Sequence, residues 1–173
     1  GLAWVSLIVA PEGAVSVKDF DLKTPKIRAR GSASFSAKGG LEGLDLRTFE
    51  FGRTKMAASL AIDDRGTYDI VLKGDVFDAT VFVEKLSSDG EAARLPPLRL
   101  TGNLGRVWFD SEIPVDGVRA RLVHDGSEWV EADLAGTLGK DRSLALKMSA
   151  DGNRREALLT SDNAGAALRA LDL

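Results

Sequence analysis

The chain has no cysteine, so neither a disulfide nor a thiolate metal site is available to hold it together. That absence leaves the compartment open, because large periplasmic domains often need no disulfide. His124 is the only histidine, which leaves little material for a histidine metal cluster or a nucleophilic triad. Long apolar runs are missing too. Leu2-Ala3-Trp4-Val5-Ser6-Leu7-Ile8-Val9-Ala10 has no basic flank and is too short to span a bilayer or to serve as a signal peptide. There is also no excess of positive charge: 23 basic residues are interleaved with 26 acidic ones, for a net charge of -3. Nucleic acid is therefore not an expected partner.

What is present is alternation. At 173 residues the chain suits one large domain or two small ones, able to bury roughly 70% of its unfolded surface if compact. The opening run reads as a strand already under way and the last residues stop at a helix, so the chain reads as an excised piece of something longer. After the Pro11-Glu12-Gly13 turn, the apolar phase slips from Val15 and Val17 to Phe20 and Leu22, which predicts a β-bulge. Ala33, Phe35 and Ala37 alternate with serines. Beyond Gly39-Gly40 the phase slips again, from Leu44 and Leu46 to Phe49 and Phe51, and predicts a second bulge. Met56, Ala58, Leu60 and Ile62 run up to Asp63-Asp64-Arg65-Gly66, and Tyr68, Ile70 and Leu72 run back, as in a hairpin.

Three sections follow from this pattern: a strand-rich part over 1–75, a short Asp78-capped helix and polar linker over 76–97, and a second strand-rich part over 98–173. The second part carries Leu98, Leu100 and Leu104, then Val118, Ala120 and Leu122, the Asp125-Gly126 turn, Val130, Ala132 and Leu134, and Leu144, Leu146 and Met148. It ends in a helix over 162–171, entered through Thr160, Ser161, Asp162 and Asn163, with Ala164, Ala167, Leu168 and Leu171 on one face. The two parts resemble a degenerate internal repeat. The expected fold is mainly β, a large curved antiparallel meander forming an open groove or partly closed half-barrel with one or two short helices. About eleven strands at ~4.8 Å spacing make a sheet roughly 50 Å wide, whereas nine helical residues reach only ~14 Å. One such helix cannot cover that face. The apolar side must close on itself, meet another part of a longer protein, or hold an apolar ligand.

No catalytic chemistry stands out. His124, Asp125 and Ser127 sit side by side in an Asp-Gly turn, whereas a triad draws its members from separate rigid elements. Gly136-Thr137-Leu138-Gly139-Lys140-Asp141-Arg142-Ser143 has glycines too close together for a phosphate loop, and Asp141 stands where a Ser or Thr is needed. Asp63 with Asp64, and Asp19 with Asp21, read as turn and solvent-face carboxylates. Trp4, Trp108 and Trp129 read as packing residues. No catalytic, cofactor-binding or metal-binding residue is expected, and no enzyme activity. A carbohydrate-acting enzyme would need two carboxylates facing each other in a cleft at ~5 to 9 Å.

The order of features is similar to a known pattern. Met56-Ala-Ala-Ser-Leu60-Ala-Ile62, Asp-Asp-Arg-Gly-Thr-Tyr68-Asp-Ile-Val-Leu-Lys-Gly74, the Asp78-led piece, and Leu158-Leu-Thr-Ser-Asp-Asn-Ala-Gly165 with Leu168-Arg-Ala-Leu171 resemble the AsmA-like C-terminal region of large bacterial envelope proteins, the group that includes YhdP and TamB. The resemblance spans roughly Gly31 to Leu173, and the Ser-Asp-x-x-Gly entry to the last helix is its most specific part. It implies a periplasmic, inner-membrane-anchored protein whose apolar groove shields phospholipid acyl chains between the inner and outer membranes. The implied partners are a phospholipid or other acyl-chain ligand and the remaining segments of the parent protein. Membranes would be reached only through parts outside this chain. The residues expected to face lipid are Phe35, Leu44, Leu46, Met56, Leu60, Ile62, Ile70, Leu72, Leu98, Leu100, Leu122, Leu134, Leu144, Leu146 and Met148. The alternative is a structural spacer or assembly scaffold of the envelope with an ordinary packed core.

Overall fold

The structure, a computed structural model, describes residues 1–11, 13–80, 95–109, 113–139, 142–151, 154–163, 165 and 167. Eleven strands form one sheet in chain order: β1 (Leu2–Val9), β2 (Val15–Lys23), β3 (Ile27–Phe35), β4 (Leu41–Phe51), β5 (Thr54–Ile62), β6 (Tyr68–Asp78), β7 (Leu98–Trp108), β8 (Pro114–His124), β9 (Trp129–Leu138), β10 (Arg142–Asp151) and β11 (Arg154–Ser161). The sheet is curved and open, with β1 and β11 as its two edges. Of the described residues 75% lie in strands and 2% in helix, so no helical layer covers either face among them.

The two predicted bulges are present. The register slips between Val17 and Phe20 in β2, and between Leu46 and Phe49 in β4. Each slip has the same cause: the apolar residues change parity along the strand, and one extra residue returns them to the same side. The turn at Asp63–Gly66 also forms as read. Asp63 accepts the amide N–H groups of Arg65 and Thr67 at 2.9 Å each, and Gly66 takes the positive φ of 77° that the turn requires.

One expectation is corrected. The meander is not antiparallel throughout, because β6 and β7 pair in parallel, Tyr68 beside Leu98 and Asp78 beside Trp108. Residues 79–97 return the chain from one end of β6 to the other, the long crossover that a parallel pair demands. The two strand-rich parts thus share one continuous sheet. Of the expected first helix, only Thr80 is described as helical, and its N–H and hydroxyl both donate to Asp78 Oδ1, at 3.3 and 2.5 Å. Of the expected final helix, Gly165 and Ala167 are described, and Ala167 N–H donates to the Asn163 carbonyl at 2.9 Å. Residues 81–94, 164, 166 and 168–173 lie outside the described residues.

β7 carries a phase slip that the alternation did not reveal. Leu104 and Val107 are both buried although they differ in parity. Gly74, opposite Leu104, has φ 153°, and a Cβ there would lie 2.6 Å from Met56 Cα. The sheet creases at this point, and the crease turns Phe77, Val107, Val115 and Leu138 into the same core as Leu72, Leu104, Val118, Leu134 and Leu144. Ala79 and Ala167 join that cluster. The buried core therefore sits at one end of β6–β10. Elsewhere, among the described residues, the sheet is a single layer. The chain exposes 11272 Å², well above the roughly 8,200 Å² of a compact protein of this mass.

Candidate functional site

Cross-strand partners project to the same side of a sheet, so register decides which residues share a face. One row runs Leu7, Val17, Ala33, Leu44, Leu60, Ile70, Leu100, Leu122, Ala132, Met148 and Ala157. The row beside it runs Val5, Phe20, Gly31, Leu46, Ala58, Leu72, Gly102, Ala120, Leu134, Leu146 and Leu159. Neither row holds a charge. Met56, Leu104 and Leu144 continue the same side in one direction, and Phe35, Ile62 and Leu98 in the other.

All fifteen residues expected to face lipid thus lie on one side of the sheet. Leu72, Leu98, Leu134 and Leu144 are buried, and the rest are half-buried. Among the described residues that side is packed over β6–β10 at one end, with Met56 and Ala58 of β5 against the cluster, and lies outside that cluster over β1–β4. Several contributors were not anticipated. Val5, Leu7, Val17, Phe20 and Leu159 extend the face, while Val107, Val115 and Leu138 complete the packed end. Counting each bulge as one skipped position would have placed Phe20 in the sequence. Nothing in the local alternation marks the crease beyond Leu104.

The opposite side is charged and tied together across strands. Arg99 Nε donates to Asp69 Oδ1 at 2.5 Å and Arg99 Nη2 to Asp63 Oδ2 at 3.3 Å. Arg106 pairs with Asp116 at 2.6 Å and Arg121 with Glu131 at 2.9 Å, and Asp19 is held by both Arg47 and Arg30. The Arg99 guanidinium holds the Asp69 carboxyl below its ordinary value, and the Thr67 amide does the same for Asp63. Asp63 and Asp69 converge on Arg99 at the charged surface, not across a cleft. Among the described residues no group of His, Asp or Glu is placed to hold a metal ion. No helix there is long and apolar enough to cross a membrane.

No protein-family model, curated protein or solved structure matches this chain.

The remaining candidates serve the fold. Asp125 Oδ1 accepts the Ser127 amide and hydroxyl at 2.7 Å each and the Glu128 amide at 2.9 Å, and the Ser127 hydroxyl lowers its carboxyl. Gly126 N–H donates to His124 Nδ1 at 3.1 Å, and the buried His124 ring meets Trp129 edge-on at 5.1 Å. This is a capped turn with its acceptors spent on backbone. The stretch from Gly136 to Ser143 likewise joins two paired strands, with Gly139 at φ 60°, while Lys140 and Asp141 lie outside the described residues. Trp108 packs under Arg53, whose Cζ lies 4.4 Å from the ring centroid. Trp4 departs from expectation: it is 49% exposed, because β1 is an edge strand with nothing described beyond it.

Proposed function

We propose that this chain is a section of an AsmA-like periplasmic protein whose apolar sheet face shields phospholipid acyl chains on their way between the inner and outer membranes. The observation that supports it most is the segregation of the sheet: two adjacent rows cross eleven strands without a charge, and much of that side is uncovered among the described residues. Two acyl chains of ~16 carbons in water cost about 25 kcal/mol at ~0.8 kcal/mol per CH₂. A continuous greasy face removes most of that barrier without an energy-consuming step. Cross-strand ion pairs on the other side keep it wetted.

Native mass spectrometry of the purified chain and lipid extraction test this reading. Bound phospholipid is expected, and Leu44→Glu with Leu60→Glu should remove it while far-UV circular dichroism stays unchanged. The same charge at Ser59, on the opposite side, should leave lipid in place. A second reading, a structural spacer with an ordinary core, is favoured by the packed end around Val107, Val115 and Leu144. It predicts no lipid, and unfolding instead of ligand loss when Leu122 or Leu146 is made charged.

A further inference from the structure

The charged side of the sheet is hollowed along one line. Depressions of 440, 190 and 710 Å³ lie over β2–β5, β6–β8 and β9–β11, and all three fall between the same two rows of side chains. One row runs from Ser16 and Ser34 to Asp69 and Arg99, the other from Ser32, Asp45 and Ser59 to Thr101 and Arg121. Between them lies only the backbone of the row that carries Leu44 and Leu60, whose side chains point to the apolar side. Over β6–β8 the lining charges answer one another, Arg99 with Asp69 and Arg121 with Glu131. Over β2–β5 they do not. Ser16, Lys18, Ser32, Ser34, Asp45 and Ser59 line that hollow, and none of their side chains makes a hydrogen bond or ion pair among the described residues. A Cβ on Gly43 would lie 2.9 Å from Ser34 Oγ, so the glycine keeps that hydroxyl clear.

We propose that the hollow over β2–β5 binds a short β-1,4-linked glycan laid across the strands, one sugar to a strand. Neighbouring strands stand ~4.8 Å apart, close to the advance per sugar of an extended β-1,4-linked chain, so one register serves every strand crossed. The two walls are about 7 Å apart, two residues along a strand, and each faces one hydroxyl-bearing edge of the sugar ribbon. Serine hydroxyls both donate and accept, Lys18 donates and Asp45 accepts, which complements sugar hydroxyls. An extended peptide advances ~3.3 Å per residue and falls out of step. It also pairs through its backbone with an open sheet edge, whereas each of β2–β5 is bonded on both sides. Nucleic acid is disfavoured by the carboxylates that recur along the line, Asp45, Asp69, Asp133 and Glu156. Asp45 is the only carboxylate lining the hollow, and cleavage of a glycosidic bond takes a pair, so the glycan is held and not hydrolysed. No aromatic ring lines the hollow either. Binding therefore rests on hydrogen bonds and grows with the number of sugars seated.

Isothermal titration calorimetry of the purified chain with β-1,4-linked glucose oligomers, from the dimer to the hexamer, tests this. Affinity should climb up to the tetramer, one sugar for each of β2–β5, and level off beyond it. The α-1,4-linked glucose tetramer, which coils, should bind about tenfold more weakly, since hydrogen bonds go unmade. Ser32→Ala with Ser34→Ala should weaken the β-linked tetramer about tenfold. Gly43→Val fills the hollow and should abolish binding with far-UV circular dichroism unchanged. Asn103→Ala, on the same side but outside both rows, should leave the affinity as it is. The absence of heat with every oligomer at millimolar concentration overturns the proposal. So does equal binding of the α- and β-linked tetramers, an affinity that stays flat from dimer to hexamer, or indifference to the serine and Gly43 changes in folded variants. The length series and the linkage comparison use the unaltered chain, so neither depends on how a variant folds. The site lies on the side away from the apolar rows, and glycan binding with or without bound phospholipid separates it from the transport reading.

Discussion

A methyl group on Gly74 would sit 2.6 Å from Met56 Cα and 2.9 Å from the Lys55 carbonyl oxygen, with φ at 153°. Backbone cannot move aside as a flexible side chain does. Gly74→Ala is therefore expected to cost ~2 to 4 kcal/mol, as overpacking and strain add, measured by urea unfolding. Gly66 is the comparison, since its φ of 77° is unfavourable for alanine but nothing lies within 4 Å. Gly66→Ala should cost about 1 kcal/mol. Protonation acts at the same scale. Asp63, Asp69, Asp125 and Asp162 are all held below the ordinary 3.8, by the Thr67 amide, the Arg99 guanidinium, the Ser127 hydroxyl and the Ser143 hydroxyl respectively. A carboxyl with a lower value when folded stabilises the fold above its unfolded value, and that stability is lost as pH falls through the folded value. The melting temperature should thus be flat from pH 7 to about 5 and decline below about 4. Asp63→Asn with Asp125→Asn should flatten that decline in a thermal melt against pH.

Bulges matter at the level of the strand, because side chains alternate with a period of two. In β2, Val17 and Phe20 share the apolar side only because an extra residue intervenes. Deleting Lys18 is expected to remove the bulge and leave Val17, Phe20 and Leu22 in one unbroken alternation on the apolar side, with the register to β1 and β3 kept. Hydrogen exchange should then show β1 and β2 protected as in the parent chain, and loss of protection there would mean that the bulge itself is needed. The bulges in β2 and β4 were legible in the sequence because both phases are marked by large apolar residues, Val17 then Phe20 and Leu46 then Phe49. The crease after Leu104 was not. Gly105 and Arg106 separate Leu104 from Val107, and what restores the phase is a contact between Gly74 and Met56, brought together only by strand pairing. The parallel pairing of β6 and β7 was hidden for a similar reason. An alternating strand reads the same in either direction, and only the path of residues 79–97 decides which way β7 runs.

Over the whole molecule, the fifteen apolar residues that share one side were legible as a set because each alternates within its own strand, and pairing put every one on a single side. How far that side would be covered was not legible, since coverage depends on what packs over it. An open sheet of eleven strands about 50 Å wide is broader than a compact protein of this length, whose radius of gyration would be near 16 Å. Small-angle scattering is expected to give a value above that, and a smaller one would mean the apolar side has folded over itself. Stability should be uneven as well. Substantial contacts between strands join only neighbours in the sheet, and the buried cluster lies over β6–β10. Amide exchange should therefore be slowest in β7–β10 and fastest in β1 and β2.

A ribbon whose members answer only to the one on either side has no preferred size. A hairpin inserted or removed between two others restores the alternation of direction and leaves distant strands untouched, as units in a solenoid come and go. The reach of such a protein is then set by how many hairpins its gene encodes, and a lineage can lengthen it in steps of about 10 Å without redesigning a core.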